Sequence, residues 1–390
     1  MTYNYLKLYE PQARRITDTS LSFDGDKLVI SSAEASDKYK GLYALPGYVD
    51  IHTHGVLGMS FENASVENNI KMLKFYASSG TLYVMPTIGT ISLDDIKASA
   101  DAVLEAAQRI KDEKLEAATV LGIHFECRYL NPARAGAHSP DILVSPDTNE
   151  ADILIDKVYA ASEKLGRRLH VHFTIAPELE HGHDFIKHVT SRGATVGIGH
   201  SDADAVQAKA ALGTGACVFT HTFNAFKPIH HRNSSALLTA LTSNAYTELI
   251  CDGKHLLPEI ASLIRHCKSD DRVVLITDSV AGGLKNGDEF DFLGGKHSIV
   301  TDGIAKYEDG TICGSIATMK ECVKNYADFT GADSLECFKA AVSNPLELLG
   351  MGDCANMTPG NSASFILVDD KLVLRHVFVN GKMINSFTEV

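Results

Sequence analysis

Two rhythms of apolar positions divide the chain. From residue 1 to about 45, apolar and polar residues alternate between turn signals: Ser20-Leu21-Ser22-Phe23, the Asp24-Gly25-Asp26 turn, then Lys27-Leu28-Val29-Ile30. A period of two predicts short antiparallel strands. The far end repeats it, with Ala363-Ser364-Phe365-Ile366-Leu367-Val368, Leu372-Val373-Leu374 and His376-Val377-Phe378-Val379, and with Asn380-Gly381 as a type I′ hairpin turn. Two similar β fragments at opposite ends predict one small β-sandwich domain built from both termini, residues 1–46 plus 356–390.

Between them the apolar runs are nearly continuous. They start near 47 (GYVDIHTH), 81 (TLYVMPTI), 118 (ATVLGIHFE), 168 (RLHVHFTI), 194 (ATVGIGHS), 216 (ACVFTHTF), 247 (TELICDGKH) and 272 (RVVLITDS). Most intervals hold a helical pattern, such as Leu93 to Ile110 with Ser92 as its N-cap. Apolar strands alternating with helices predict a parallel sheet covered on both faces. Eight such units predict an α/β fold, a (β/α)8 TIM-type barrel over residues 47–355. A further amphipathic helix is expected from about 333 to 350.

The polar residues fall at the ends of these strands: His52 and His54, Glu126, His170 and His172, His200, His221, Asp252 with His255, and Asp278. In an eight-stranded barrel those ends converge on one mouth. His52 and His54 share one strand face and can hold a divalent metal between them. The competing reading is a buried strand whose histidines bond backbone carbonyls. Glu126, His200 and His221 make a 2-His-1-carboxylate set with room for water. Against it, His200 reads as a residue at a helix start and His221 as a packed core imidazole. Asp278 ends the eighth strand, where a carboxylate can act as general base and then general acid; its alternative is a helix N-cap.

Composition narrows the partners. The chain has 390 residues, 45% hydrophobic and 22% charged, with a formal net charge of −13. That balance argues against nucleic acid and anionic membranes. No run approaches the ~18 apolar residues of a membrane span. Eight scattered cysteines without a C-x-x-C pair predict reduced thiols in a cytoplasmic protein.

Several stretches together resemble a known family. They are PGYVDIHTHG (46–55), HFE followed by the run from Glu126 to His138, TIAPE (174–178), GIGHSDAD (197–204), THTFNAFKPIHHR (220–232), DGKH (252–255), LITDS (275–279) and DGTICGSIATM (309–319). In matching order from about residue 41 to the C-terminus, they are similar to the N-acetylglucosamine-6-phosphate deacetylases of the amidohydrolase superfamily. The first motif and the final Asp are shared across amidohydrolases, while the Glu126–His138, His-x-x-Asn-Ala and Gly-Ser-x-x-Thr-Met runs are narrower.

The resemblance implies a metal-dependent hydrolase that frees acetate and glucosamine 6-phosphate, working as a homodimer. By it, Glu126, His200 and His221 hold the principal ion and Asp278 is the acid/base. Asn224, Ala225 (through its amide), Arg232 and His255 bind the sugar phosphate, one of them reaching in from a dimer partner, and His138 contacts the substrate near the acetamide. His52 and His54, absent in some members, allow a second ion. Zinc, iron, cobalt and manganese all suit such nitrogen and oxygen ligands, so one or two divalent ions are expected.

The chain departs from the family where Gly-Pro usually follows the glutamate; here Cys127-Arg128 stands. Arg128 at the mouth suits phosphate or carboxylate, or is solvated at the rim. His170 and His172 read as core residues, and His230 and His231 as tuning an anion site. Three other functions stay open. One is deacetylation of a related N-acetylhexosamine phosphate such as the galactosamine epimer. Another is a different amidohydrolase acting on a cyclic amide, disfavoured because the fourth-strand run has no lysine to bridge two metals. The third is a non-catalytic sugar-phosphate-binding paralogue, disfavoured by the intact Glu/His/His/Asp set.

Overall fold

The computed structural model describes residues 1–29, 36–126 and 128–384; Ile30 and Cys127 lie outside them. Eight parallel strands form a barrel wall: Tyr48–Thr53, Thr81–Ile88, Gly122–Phe125, His170–Ile175, Thr195–Ile198, Val218–Phe219, Tyr246–Ile250 and Val273–Ile276. Each coincides with one of the eight apolar runs, and neighbours pair in parallel. The last strand meets the first through the Asp278 N–H, which donates to the His52 carbonyl at 2.9 Å. Beside it the buried Asp50 carboxylate accepts from Thr277 Oγ1 at 2.6 Å and from the Thr277 N–H at 3.3 Å. A side chain thus supplies acceptors where the backbone ladder is short.

A helix follows every strand: Val66–Ser78, Leu93–Asp112, Thr148–Leu165, Gly182–Ser191, Ala205–Thr214, Ala236–Thr242, Pro258–Cys267 and Met319–Thr330. Ser92 caps the second, its Oγ accepting from the Asp95 N–H at 3.2 Å. Its buried side includes Ile96, Ala100, Val103, Leu104 and Ala107, the i, i+4, i+7, i+8, i+11 pattern of a core-facing stripe. Among the described residues no helix is long and apolar enough to cross a membrane.

The stretch expected as one helix from 333 to 350 is divided. Ser334–Phe338 and Asn344–Leu348 are α-helical, and Lys339–Ser343 between them is a π turn. Pro345 has no N–H to give to the carbonyl one turn back, so the regular ladder cannot run through it. Asn344 uses the break. Its buried Nδ2 donates to the carbonyls of Asp270 (2.8 Å) and Val273 (2.6 Å), pinning this helix to the base of the eighth strand. Asn344→Ala would leave two acceptors without that donor and is expected to cost about 2–4 kcal/mol in urea denaturation.

The terminal strands form one seven-stranded sheet in the order Lys382–Ile384, Leu374–Val379, Phe365–Val368, Tyr43–Leu45, Thr2–Glu10, Arg15–Asp24, Lys27–Leu28. It curls so that opposite ends meet: Phe23 lies 5.8 Å from Phe365 and 5.9 Å from Phe378, ring to ring. Leu6, Leu21, Ala44 and Leu367 complete this second core. Asn380 and Gly381 both have positive φ (51° and 76°), as a type I′ turn needs.

The sequence reading contained no element between the eighth strand and its helix. The structure has a four-stranded antiparallel sheet there, Glu289–Phe292, Lys296–Thr301, Ile304–Tyr307 and Ile312–Ser315. Its last strand joins the barrel mouth: the Ser315 N–H donates to the Asp278 carbonyl at 2.9 Å, and the Val280 N–H to Ser315 at 3.0 Å.

Candidate active site

Several strand ends deliver polar side chains to one point, the carboxylate of Glu126. His221 Nε2 lies 2.9 Å and His200 Nε2 3.3 Å from its Oε1. Its Oε2 faces His54 Nε2 at 3.1 Å, His52 Nε2 at 3.4 Å and His138 Nε2 at 3.5 Å. Asp278 Oδ1 stands 3.5 Å from the Nε2 of both His52 and His54. Two groups of three ligand atoms are close enough to hold an ion, His52/His54/Asp278 and Glu126/His138/His200. His221 joins the second, its Nε2 only 3.0 Å from that of His200.

Local backbone geometry aims these groups. His200, His221 and Asp278 all have positive φ (48°, 28° and 46°). Left-handed backbone in non-glycine residues costs about 1–3 kcal/mol each and gathers at functional sites. Three appearances of this conformation, at the ends of strands five, six and eight, mark the mouth as built for its side chains. Gly136 lies over His200, where an added Cβ would come within 3.3 Å of the imidazole.

The hydrogen bonds fix which ring nitrogen points inward. His200 Nδ1 donates to the Arg134 carbonyl at 2.8 Å. His52 Nδ1 bonds Glu248 at 3.2 Å, and His54 Nδ1 bonds Glu62 at 3.0 Å. Carbonyl and carboxylate oxygens only accept, so each Nδ1 carries a proton, and in the neutral ring each Nε2 then turns its lone pair inward. Those lone pairs confront carboxylate oxygens and, between His200 and His221, another imidazole. His52 Nε2 is buried without a hydrogen-bond partner. Lone pair against lone pair is repulsive unless a positive charge lies between them. The residues present therefore fit a divalent cation with nitrogen and oxygen ligands.

The titration tendencies express the same demand for positive charge, which protons on these rings also meet. Burial pulls His52 and His54 down, but the carboxylates outweigh it: Glu126 and Asp278 hold His52 well above its usual value, and Glu126 with Glu62 lift His54 to about 10. Burial pushes Glu126 and Asp278 up, yet the surrounding imidazoles keep both below the ordinary carboxylate range. Burial and neighbouring imidazoles push His138 down to about 4.

Asn224, Ala225, His138 and His255 line the same cavity as Glu126 and Asp278. Asp252 Oδ2 holds His255 Nδ1 at 2.7 Å, and Thr90 Oγ1 holds His138 Nδ1 at 2.6 Å. Arg232 is exposed and is not part of the cavity wall. Arg128 is not at the mouth as an anion receptor either. Its Nη1 bonds Glu150 at 2.9 Å, and the Tyr129 hydroxyl donates to the same carboxylate at 3.0 Å. Arg128→Ala is accordingly expected to keep the KM for substrate within about fivefold of wild type, the span of a ~1 kcal/mol interaction, in steady-state kinetics. His170 and His172 sit deeper in the barrel, both bonded to Thr195 Oγ1, and burial first of all pushes them to about 4 and 3.

Sequence reasoning missed Glu62, Glu248 and the cover of the cavity. Glu248 had a signal, a lone acid inside the apolar run TELIC. Glu62 had none, because it lies in an irregular segment after the first strand. Phe292, Leu293, Ile312 and Cys313 come from the four-stranded sheet and form the apolar side of the cavity.

Residues 43–384 match the sequence profile of the amidohydrolase family. The chain is 33% identical over 353 residues to N-acetylglucosamine-6-phosphate deacetylase of Danio rerio, covering 87% of this chain and 83% of that protein. It is 30% identical over 341 residues to N-acetylgalactosamine-6-phosphate deacetylase of Escherichia coli O157:H7, covering 87% and 86%. In structure it is similar to the crystal form of N-acetylglucosamine-6-phosphate deacetylase from Thermotoga maritima, with a TM-score of 0.83, 28% identity and coverage of 98% and 99%.

Proposed function

This chain belongs to the amidohydrolase family, and from that premise we propose that it hydrolyses the acetamide of N-acetylglucosamine 6-phosphate to acetate and glucosamine 6-phosphate. The observation that carries the reading is the convergence of five imidazole Nε2 atoms on the buried Glu126 carboxylate, with Asp278 set against two of them. In this reading residues 47–355 are the hydrolase barrel, and 1–46 with 356–390 the small β domain.

Glu126, His200 and His221 would hold the principal divalent ion, with His52 and His54 available to a second; zinc, iron, cobalt and manganese all suit these ligands. Such an ion supplies Lewis acidity at the acetamide and makes water a stronger nucleophile. Asp278, kept ionised by its imidazole neighbours against its burial, takes the proton of the attacking water and returns it to the departing amine. His138, with Nδ1 fixed by Thr90, would meet the substrate near the acetamide. Asn224, the Ala225 amide and His255 would receive the sugar phosphate. Phe292, Leu293 and Ile312 keep the site apolar on the remaining side.

Arg232 belongs to this reading through a homodimer. Exposed on its own chain, it would complete a partner's phosphate site. Buried thiols such as Cys251, Cys322 and Cys337, free among the described residues, support a cytoplasmic protein.

The likeness to the galactosamine-specific relative makes the epimer a second reading. Acetate release from the two epimeric N-acetylhexosamine 6-phosphates, and from N-acetylglucosamine itself, separates them on metal-quantified protein. Higher kcat/KM for the gluco epimer is expected. Preference for the galacto epimer would move the assignment, and release from neither phosphate would overturn it.

A further inference from the structure

Behind each histidine of the first strand stands a buried carboxylate that the proposed chemistry does not use. Glu62 Oε1 accepts from His54 Nδ1 at 3.0 Å and from the Gly89 N–H at 2.6 Å. Glu248 Oε2 accepts from His52 Nδ1 at 3.2 Å and from the His221 N–H at 3.1 Å. Glu248 is fully buried and Glu62 nearly so. Gly89 makes room for this arrangement: an added Cβ would lie 2.9 Å from Glu62 Oε1.

The placement of these bonds matters more than their number. Glu62 ties the His-x-His strand to the end of the second strand. Glu248 ties it to the end of the sixth, where its one oxygen serves both His52 and the backbone of His221. Each acid forces its imidazole into the Nδ1–H form and locks the ring so that Nε2 faces inward. An acceptor carboxylate behind a ligating imidazole raises ligand basicity and fixes ring orientation.

Formal charge points the same way. Glu62, Glu126, Glu248 and Asp278 all touch imidazoles of this cluster. Among the described residues, no lysine or arginine pairs with any of the four. Carboxylates in such a place need compensating positive charge, and the groups placed to supply it are these imidazoles and an ion held between them.

Building on the metal-dependent reading above, we propose that Glu62 and Glu248 are positioning residues that commit His52 and His54 to a second divalent cation beside the one at Glu126/His200/His221. Neither acid touches substrate in this account. Glu62 serves the His54 side alone, whereas Glu248 links the two centres through its shared oxygen.

Equilibrium dialysis of the full chain against zinc chloride, with metal counted by elemental analysis, tests this. Wild type is expected to take up two equivalents. Glu62→Gln and Glu248→Gln are expected to weaken the second equivalent by about 10–100-fold, while Glu62→Gln keeps the first at wild-type affinity. The melting temperature of the metal-free proteins separates this from a purely structural role, which would lower the melting point and leave the stoichiometry at two. If Glu248→Gln does not fold, Glu62→Gln decides alone. Wild type saturating at one equivalent, or Glu62→Gln binding two with unchanged affinity, overturns the proposal. Neither result bears on deacetylation, which acetate release by the wild-type protein scores separately.

Discussion

Asp278→Asn is expected to lower kcat by about 10²–10⁴-fold, the usual contribution of a positioned acid/base, with the ion at Glu126, His200 and His221 still bound. The geometry gives Asp278 this weight. It ends the eighth strand in a left-handed conformation (φ 46°), and its main chain is held on both sides: its N–H donates to His52, and its carbonyl accepts from Ser315. Its Oδ1 is therefore fixed 3.5 Å from two imidazoles. Asparagine keeps the shape and one oxygen but cannot take a proton at neutral pH. Turnover assays paired with metal analysis of the same sample check the result. Near-wild-type turnover would remove Asp278 from the acid/base role.

Glu126→Ala is expected to be more damaging, because this carboxylate is the common neighbour of His52, His54, His138, His200 and His221. Its loss leaves a cluster of imidazoles facing one another without the charge that balances an ion. Metal content of the purified protein is expected to fall below one equivalent. Activity should drop by at least about 10³-fold, since several kcal/mol of transition-state stabilisation depend on the ion and each 1.36 kcal/mol is tenfold. Unlike Asp278→Asn, this variant loses both readouts together. Full metal occupancy in Glu126→Ala would assign the ion to other ligands.

The sequence exposed the barrel because a parallel sheet buried on both faces leaves unbroken apolar runs, and a polar residue ending such a run is conspicuous. His52, His54, Glu126, His200, His221 and Asp278 were legible for that reason. Glu62 was not: an acid in an irregular segment looks like any solvated acid, and only the fold turns it toward His54. Arg128 misled in the opposite direction. As a cation two residues after Glu126 it reads as a ligand-binding group or a solvated rim charge, yet it is half-buried and paired with Glu150. The final helix shows a third limit. Apolar spacing predicted its length, whereas Pro345 decided that it passes through a π turn, and Asn344 found its partners across the fold. The sheet over the cavity went unrecognised because its strands are short and half-exposed, and so lack the continuous apolar signature of the wall.

The most direct test of the account is acetate release from N-acetylglucosamine 6-phosphate by one protein preparation in three states: as purified, stripped of metal by a chelator, and reloaded with a divalent ion. Release matched one for one by glucosamine 6-phosphate, abolished by stripping and restored by reloading, is the expected result. Undiminished release from protein verified to be metal-free, or none from fully loaded protein, would contradict it.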